Sequence, residues 1–362
     1  MAGDRRVRVR WGRVAAVLAA MGLATALAVL AAGLLGQRGM QAPAPIQQGT
    51  EQAPLTISLV GDVLPAAGAA RVAQKRGMAH LLGGVGRLLR GDDLTIANLE
   101  CAVTTRGRPA DKRYTFRAQP RLVAGLRAGG IEAVSLANNH SLDYGRQGLL
   151  DTLAYLRQGG VAAAGAGRDY QAANRPLVLE VRGRRVALVA ASRVLPRVDW
   201  RAGRGRPGLA SAYEGEELAA RVRAAAKGAQ VVVAYLHWGQ ERELTLDPEQ
   251  RKLARALIAA GADLVAGCHS HTLQGFELYR GRLIAYGLGN FVFSSRDRQT
   301  VVLQVTFRGD GRQQARVIPC RVKGYRPEPM TGREGAALLR ELEHRSPGVR
   351  IQADGTLEAA PD

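Results

Sequence analysis

Short apolar runs that end in a polar, chemistry-bearing residue recur along this chain. Leu55–Val60 leads into Gly61 and Asp62, Leu94–Leu99 into Glu100, and Val134–Ala137 into Asn138, Asn139 and His140. Val231–Leu236 leads into His237, and Leu264–Ala266 into a segment holding His269 and His271. Apolar runs of this length, bounded by Gly, Asn or Asp, read as buried strands. Between them lie helix-compatible stretches at 68–90, 120–128, 145–157 and 214–227. Strand alternating with helix at this spacing predicts an α/β fold. Further on, Phe276–Tyr279 and Leu283–Tyr286 flank Arg280, Gly281 and Arg282 as a hairpin, and Val301–Phe307 continues in that style, so the second half is expected to be more antiparallel. No internal repeat of solenoid spacing is present.

The N-terminus has a different pattern. Val14 to Gly36 contains no charged side chain, and a helix of that length, at roughly 1.5 Å per residue, reaches about 34 Å, enough to cross a hydrocarbon core of about 30 Å. Arg5, Arg6, Arg8, Arg10 and Arg13 precede it. The positive-inside rule therefore keeps residues 1–13 cytoplasmic and sends the remainder across the membrane. A cleaved signal peptide is the alternative, since Ala24, Thr25 and Ala26 would suit a signal peptidase, but the apolar span exceeds the usual signal core. Residues 37–53, rich in Gln, Pro and Ala, read as a linker. The expected organisation is a cytoplasmic segment 1–13, a transmembrane signal-anchor helix 14–36, a linker 37–53, a domain 54–330 and a C-terminal helix and tail 331–362. The domain would then be extracytoplasmic on a single-pass cell-membrane protein.

Composition adds limits. The 362 residues leave enough chain beyond the anchor for a large core, and 46% hydrophobic residues with 5% aromatics describe a globular protein. Lys and Arg number 51 against 31 Asp and Glu, for a net charge of +20, which favours anionic partners. The basic residues are scattered, with no run interleaved with aromatics and no reader motif, which argues against nucleic acid. Cys101, Cys268 and Cys320 are too few for a disulfide scaffold and are expected as small buried residues.

The candidate chemistry lies at the strand ends. In open α/β sheets the carboxyl ends of strands converge on one crevice, so Asp62, Glu100, Asn139, His237, His269 and His271 are expected to meet despite their distance in sequence. Carboxylates suit hard divalent ions and imidazoles suit Mn, Fe and Zn, so the mixed set predicts one or two divalent metals, Mn, Fe, Zn or Mg. Of the six histidines, only His80 and His344 fall outside these positions, in polar helical surroundings that read as surface.

The strings Gly61-Asp62-Val63, Asn98-Leu99-Glu100, Ala137-Asn138-Asn139-His140 with Asp143-Tyr144-Gly145, His237-Trp238-Gly239 with Glu241, Gly267-Cys268-His269-Ser270-His271 and Gly287-Leu288-Gly289-Asn290-Phe291 together resemble the CapA family of capsule and poly-γ-glutamate biosynthesis proteins. The resemblance spans roughly Leu55 to Tyr325. It implies a calcineurin-like metallophosphatase sandwich, two central mixed sheets flanked by helices, with a dinuclear site. By that resemblance Asp62 and His271 would hold one ion and Asn139, His237 and His269 the other, with Glu100 bridging. His140 would protonate a leaving group. Two positions depart from the metallophosphatase pattern: Leu64 stands where a ligand histidine is usual, and Glu100 replaces the usual bridging aspartate.

What the resemblance implies is a role in making or exporting an anionic polymer, poly-γ-glutamate or capsule-like, beside membrane-bound synthase subunits. Arg117 is the candidate to hold an anionic substrate. Hydrolysis at the metals and a non-catalytic scaffold that binds the polyanion through a degenerate site are both open at this point.

Overall fold

The computed structural model describes residues 53–293 and 298–361. The expected cytoplasmic segment, the signal-anchor helix and all but the last residue of the linker lie outside the described residues. Among the described residues, no helix is long and apolar enough to cross a membrane.

Two large mixed sheets organise the fold. The first runs in the order Val349–Ile351, Thr356–Ala359, Gln313–Lys323, Arg298–Phe307, Leu55–Val63, Leu94–Leu99, Ala133–Ser135 and Ala162–Ala164, with Asn290–Val292 and Arg326–Pro329 attached at its side. Leu55–Val63 pairs in parallel with Leu94–Leu99 and antiparallel with Arg298–Phe307. The second has six strands in the order Phe276–Tyr279, Arg282–Ala285, Leu264–His269, Val231–Trp238, Arg184–Ser192 and Leu177–Val181. Its middle strands are parallel, and the hairpin around Arg280–Arg282 forms as expected.

Side-chain parity along the strands builds the layers. Val231, Val233 and Tyr235 face a core shared with Leu55, Ile57, Leu59, Ile96 and Ala133 of the first sheet. Val232, Ala234 and Leu236 face the other way, onto Leu218, Val222, Leu253 and Leu257 of helices Gly215–Ala226 and Pro248–Ala259. The outer face of the first sheet, with Ala97, Leu99 and Val134, packs on Met78, Leu81, Leu126, Leu149 and Leu156. The period of two in the strands thus produces helix, sheet, sheet, helix in succession. The same parity places His237, two residues after Tyr235, on the inner face.

In the first sheet a bulge does the equivalent work. Leu59 sits opposite Ile96, but Asp62 sits opposite Asn98, so Leu55–Val63 carries one extra residue. Without it the alternation from Leu55, Ile57 and Leu59 would turn Asp62 outward; with it, Asp62 shares the inner side with Asn98 and Val63 packs outward. The bulge lies against the segment before Asn290. The Asp62 amide donates to the Gly289 carbonyl at 2.9 Å, and a Cβ on Gly61 would stand 1.9 Å from that same oxygen. Only glycine permits this approach.

Local departures have local causes. The stretch 68–90 forms three short helices, Ala67–Arg76, Met78–Leu82 and Gly86–Leu89, because Gly77 takes φ +84° and ends the first. Helix Pro248–Ala259, absent from the expected elements, starts at a capping box in which Asp247 and Gln250 satisfy each other's backbone amides. Beyond helix Gly332–His344, the C-terminal region adds two strands, of which Thr356–Ala359 pairs with Gln313–Lys323. All three cysteines are buried and free.

Candidate metal centre

The strand ends of both sheets meet at one place. Asp62, Asn98, Glu100 and Asn139 come from the first sheet and its following turns; His237, His269 and His271 come from the second. Asp62, Glu100 and His237 are fully buried, while His269 and Asn139 are 5% and 8% exposed. Three sets of ligand atoms each lie within 4.8 Å of one another: Glu100 with His237 and His269, Asp62 with Glu100 and His271, and Asp62 with His237 and Cys268. Asn139 joins them, its Oδ1 lying 2.8 Å from His237 Nε2. All six residues expected from the sequence are therefore neighbours.

Backbone geometry aims the two later histidines. His269 has φ +99° and His271 φ +57°, a left-handed region that costs a residue with a side chain on the order of 1–3 kcal/mol when held there. The loop is kept in that shape by the His269 amide reaching Asp62 Oδ2 at 3.4 Å and by His271 Nδ1 lying 2.8 Å from Asn290 Oδ1 and 3.3 Å from Asp62 Oδ2.

A ring of amides supports the acids. Asn98 donates to Asp62 Oδ1 at 2.8 Å, and Asn138 donates to Asn98 Oδ1 at 2.9 Å and to the Leu99 carbonyl at 2.8 Å. The Asn138 side-chain oxygen accepts from the His140 amide and the Ser141 hydroxyl, which fixes the turn carrying Asn139.

The electrostatics push the two carboxylates apart. Burial raises the Asp62 pKa, but the His271 hydrogen bond and charge outweigh it and hold Asp62 well below the usual carboxylate range. Glu100 is raised well above its ordinary value by burial and by the Asp62 charge. Burial and the neighbouring His269 lower His237 far below the usual histidine value, and burial with His271 pushes His269 down to about 4. His237 and His269 are thereby held as neutral imidazoles, the form that binds metal, whereas the hydrogen bond and charge of Asp62 raise the His271 pKa against burial.

Both oxygens of Glu100, and Nδ1 of His269, are buried with no hydrogen-bond partner among the described residues. Unpartnered buried carboxylate oxygens are costly, and a cation between the acids and the imidazoles would satisfy them. The donor set of carboxylate, amide oxygen and imidazole suits a hard-to-borderline divalent ion. The residues fit the group.

His140 lies beside this cluster. Its Nδ1 is 2.7 Å from Asp143 Oδ2, and its ring packs on Phe116 with centroids 4.6 Å apart. Burial lowers its pKa despite Asp143. Sequence reasoning missed Lys112, which arrives from the loop between Thr104 and Arg117. Its ammonium donates to the Asn139 carbonyl at 2.6 Å, pairs with Asp143 Oδ1 at 2.7 Å and lies 5.2 Å from the centre of the Trp200 ring. Asp143 holds this loop further by accepting from the Phe116 amide at 2.6 Å. Nothing in the local sequence marks Lys112, because its partners follow it by about thirty residues and the loop has no periodicity.

Other expectations fall elsewhere. Arg117 is exposed, and its guanidinium lies 4.5 Å from the centre of the Tyr144 ring, with no ion pair among the described residues. Leu64 is 3% exposed and packs in the outer core. Cys268 is buried as expected, and it also stands 3.2 Å from His237 Nδ1, which makes it part of the site's wall.

The model of the bacterial capsule synthesis protein family PGA_cap matches residues 56–295. The capsule biosynthesis protein CapA of Bacillus anthracis is 29% identical over 301 residues, covering 80% of this chain and 73% of that protein. The PGA biosynthesis protein CapA of Bacillus subtilis strain 168 is 30% identical over 311 residues, covering 84% and 81%. A probable polyglutamine synthesis accessory protein of Mycobacterium tuberculosis is 32% identical over 296 residues, covering 74% and 77%. With its six motif strings in order, its buried acid and histidine cluster and a match across most of its length, the chain belongs to the bacterial capsule synthesis protein family PGA_cap.

Proposed function

We propose that this chain is a membrane-anchored, extracytoplasmic protein of capsule or poly-γ-glutamate biosynthesis or export, carrying a divalent-metal site of hydrolase type. The observation that carries the metal reading is Glu100, a buried carboxylate without a hydrogen-bond partner, its Oε1 3.8 Å from His237 Nε2, at the point where acids of one sheet face histidines of the other. The names of the relatives support the biosynthetic role, and the charge-free stretch Val14–Gly36 behind five arginines supports the anchor.

Asp62, Glu100, Asn139, His237, His269 and His271 would hold one or two ions of Mn, Fe, Zn or Mg. The chemistry such an ion supplies is acidification of water and stabilisation of charge on a phosphoryl or acyl oxygen. The protein's own groups do the rest. With Nδ1 engaged by Asp143, whose charge offsets part of the burial penalty on the imidazolium, His140 would protonate a leaving group from Nε2 of its doubly protonated form. Lys112 keeps Asp143 and the Asn139 backbone in register, and the amides Asn98 and Asn138 keep the acids oriented.

A second reading has one observation in its favour. Leu64 occupies the place of a usual ligand and is sealed in the outer core, which suits a scaffold that binds the polyanion, or a synthase subunit, without turning it over.

Metal analysis of the purified full chain, beside His271→Ala and Asp62→Ala, decides the first point: near-stoichiometric metal in the wild type, reduced in both variants, is expected. Absence of Mn, Fe, Zn and Mg from the wild type would sink the metal site. Cleavage of generic phosphodiesters and of poly-γ-glutamate, lost in His140→Ala, separates the hydrolase from the scaffold.

A further inference from the structure

Beside His271 the surface opens into a groove that the metal cluster does not use. One cavity of about 510 Å³ is lined by Arg242, Leu244, His271, Thr272, Asn290, Phe293 and Arg298. A second, of about 320 Å³, shares Leu244, His271, Thr272 and Arg298 and continues to Arg345. Both volumes lie in the range of ligand pockets, and the shared walls make one elongated depression. His271, which lines both cavities, is bonded at 2.8 Å to Asn290 beside Asp62, so this wall of the groove adjoins the acids and histidines.

The lining, among the described residues, has one sign of charge. Among the described residues no acid lines either cavity, and the exposed side chains of Arg242 and Arg298 have no carboxylate partner. Arg345 is engaged, pairing with Glu341 and donating to the Leu273 carbonyl. Glu241 acts on the charges of His269 and His271 but lines neither cavity. Between the arginines, beside Thr272 and Asn290, the walls carry apolar surface: Leu244 is 45% exposed, and Phe293 packs tilted against His271 with ring centroids 4.6 Å apart.

The Arg242 rim is rigid. Arg242 holds φ +68° and its amide donates to the Ser270 carbonyl at 2.7 Å, while Thr272 Oγ1 donates to the Glu243 carbonyl at 2.7 Å. The Arg242 side chain is therefore presented from a backbone tied to the His269–His271 loop, so binding has only the side chain to order.

We infer that this groove is the track along which an anionic, carboxylate-bearing chain reaches the metal centre, with Arg242 and Arg298 gripping its charges and Leu244 and Phe293 packing on its methylenes. Guanidinium pairs carboxylates in bidentate fashion, and an apolar strip between cations suits a flexible chain with spaced carboxylates better than a compact phosphate. The inference rests on the polyanion reading above and assigns the specificity of that reading to particular side chains.

The test measures binding of a fluorescent oligo-γ-glutamate of defined length to the full chain by anisotropy, with metal content recorded for every variant. Arg242→Gln and Arg298→Gln are each expected to weaken binding about tenfold, and the double variant about a hundredfold. Arg308→Gln with Arg312→Gln removes the same charge at the far end of strand Arg298–Phe307, about 30 Å away, and is expected to bind within twofold of wild type. An uncharged oligoglutamine of equal length should not bind. A double Arg242/Arg298 variant that binds like wild type, a wild type that ignores the anionic oligomer, or equal binding of the uncharged chain would each overturn the groove. Metal content reads the other proposal separately: a metal-free wild type whose binding still depends on Arg242 and Arg298 supports the groove and removes the metal centre.

Discussion

The hydroxyl of Tyr235 donates a 2.5 Å hydrogen bond to the carbonyl of Val60, tying the second sheet to the bulge of the first. The bulge releases that carbonyl from the strand ladder, and the tyrosine satisfies it from across the core. Two residues on from each partner stand Asp62 and His237, so this bond sets the spacing of acids and imidazoles.

Tyr235→Phe removes the donor and leaves the Val60 carbonyl buried without a partner. A loss of about 1–3 kcal/mol is expected in chemical denaturation, together with weaker metal retention. A loss below about 0.5 kcal/mol would mean that water or a shift of the strand replaces the bond.

Gly61→Ala drives a methyl group into the Gly289 carbonyl. Neither backbone can yield without moving Asp62 or Asn290, so destabilisation of about 3 kcal/mol or more is expected, above the usual overpacking cost. Circular dichroism melting beside metal analysis reads both effects, and a variant of wild-type stability would refute the close approach.

Glu100→Gln separates the acid's burden from its use. With chelator present, the variant should be at least as stable as wild type, since the amide removes a buried carboxyl set against the Asp62 charge. With metal at about a hundred times its dissociation constant, wild type should gain about 2.7 kcal/mol and the variant markedly less. Equal metal stabilisation of both would exclude Glu100 as a ligand.

Lys112→Met keeps the length of the side chain and discards its charge. Metal content should stay near wild type, because Lys112 touches the Asn139 backbone, Asp143 and, at 3.2 Å, His140 Nδ1, but none of the atoms expected to hold the ion. Turnover in the phosphodiester or polymer assay should drop about 10- to 100-fold, the usual effect of removing a supporting group. Full activity would reduce Lys112 to a loop fastener.

Asp92 offers a pH signature remote from the centre. Burial, aided by Glu132 and Asp93, pushes its pKa up to about 7 against hydrogen bonds from Ser58 and Thr95. The folded state therefore binds a proton that an unfolded aspartate releases near pH 4. The associated stability is full below that pH and disappears as the pH climbs through about 7. Asp92→Asn should match wild type near pH 4 and exceed it by about 1 kcal/mol at pH 8, after allowance for partial exposure. Parallel melting curves at both pH values check the sign.

The strand-end ligands were legible because their signal is local: an apolar run, then a chemistry-bearing residue. His237 needed only the period of two from Val231. The orientation of Asp62 was not legible, since it depends on an extra residue at the bulge, and Gly61 reveals its purpose only when Gly289 is placed against it. Asn98 and Asn290 were visible only as members of motif strings and Lys112 carries no pattern of its own; all three acquire their roles through partners far along the chain. Leu177–Val181 and Arg184–Ser192 escaped notice because the charged residues around Gly183 interrupt the apolar pattern at their turn. The breaks in 68–90 were visible as Gly77 and Gly83, yet the overall helical character outweighed them.

The division of the centre between two sheets has a consequence for how the protein comes into being. Asp62, Glu100 and Asn139 are synthesised first, and a chain arrested before Val231 carries oxygens without a single one of the three facing imidazoles. Retention of an ion would thus register completion: a fragment, or a chain whose second sheet has not docked, cannot keep hold of it.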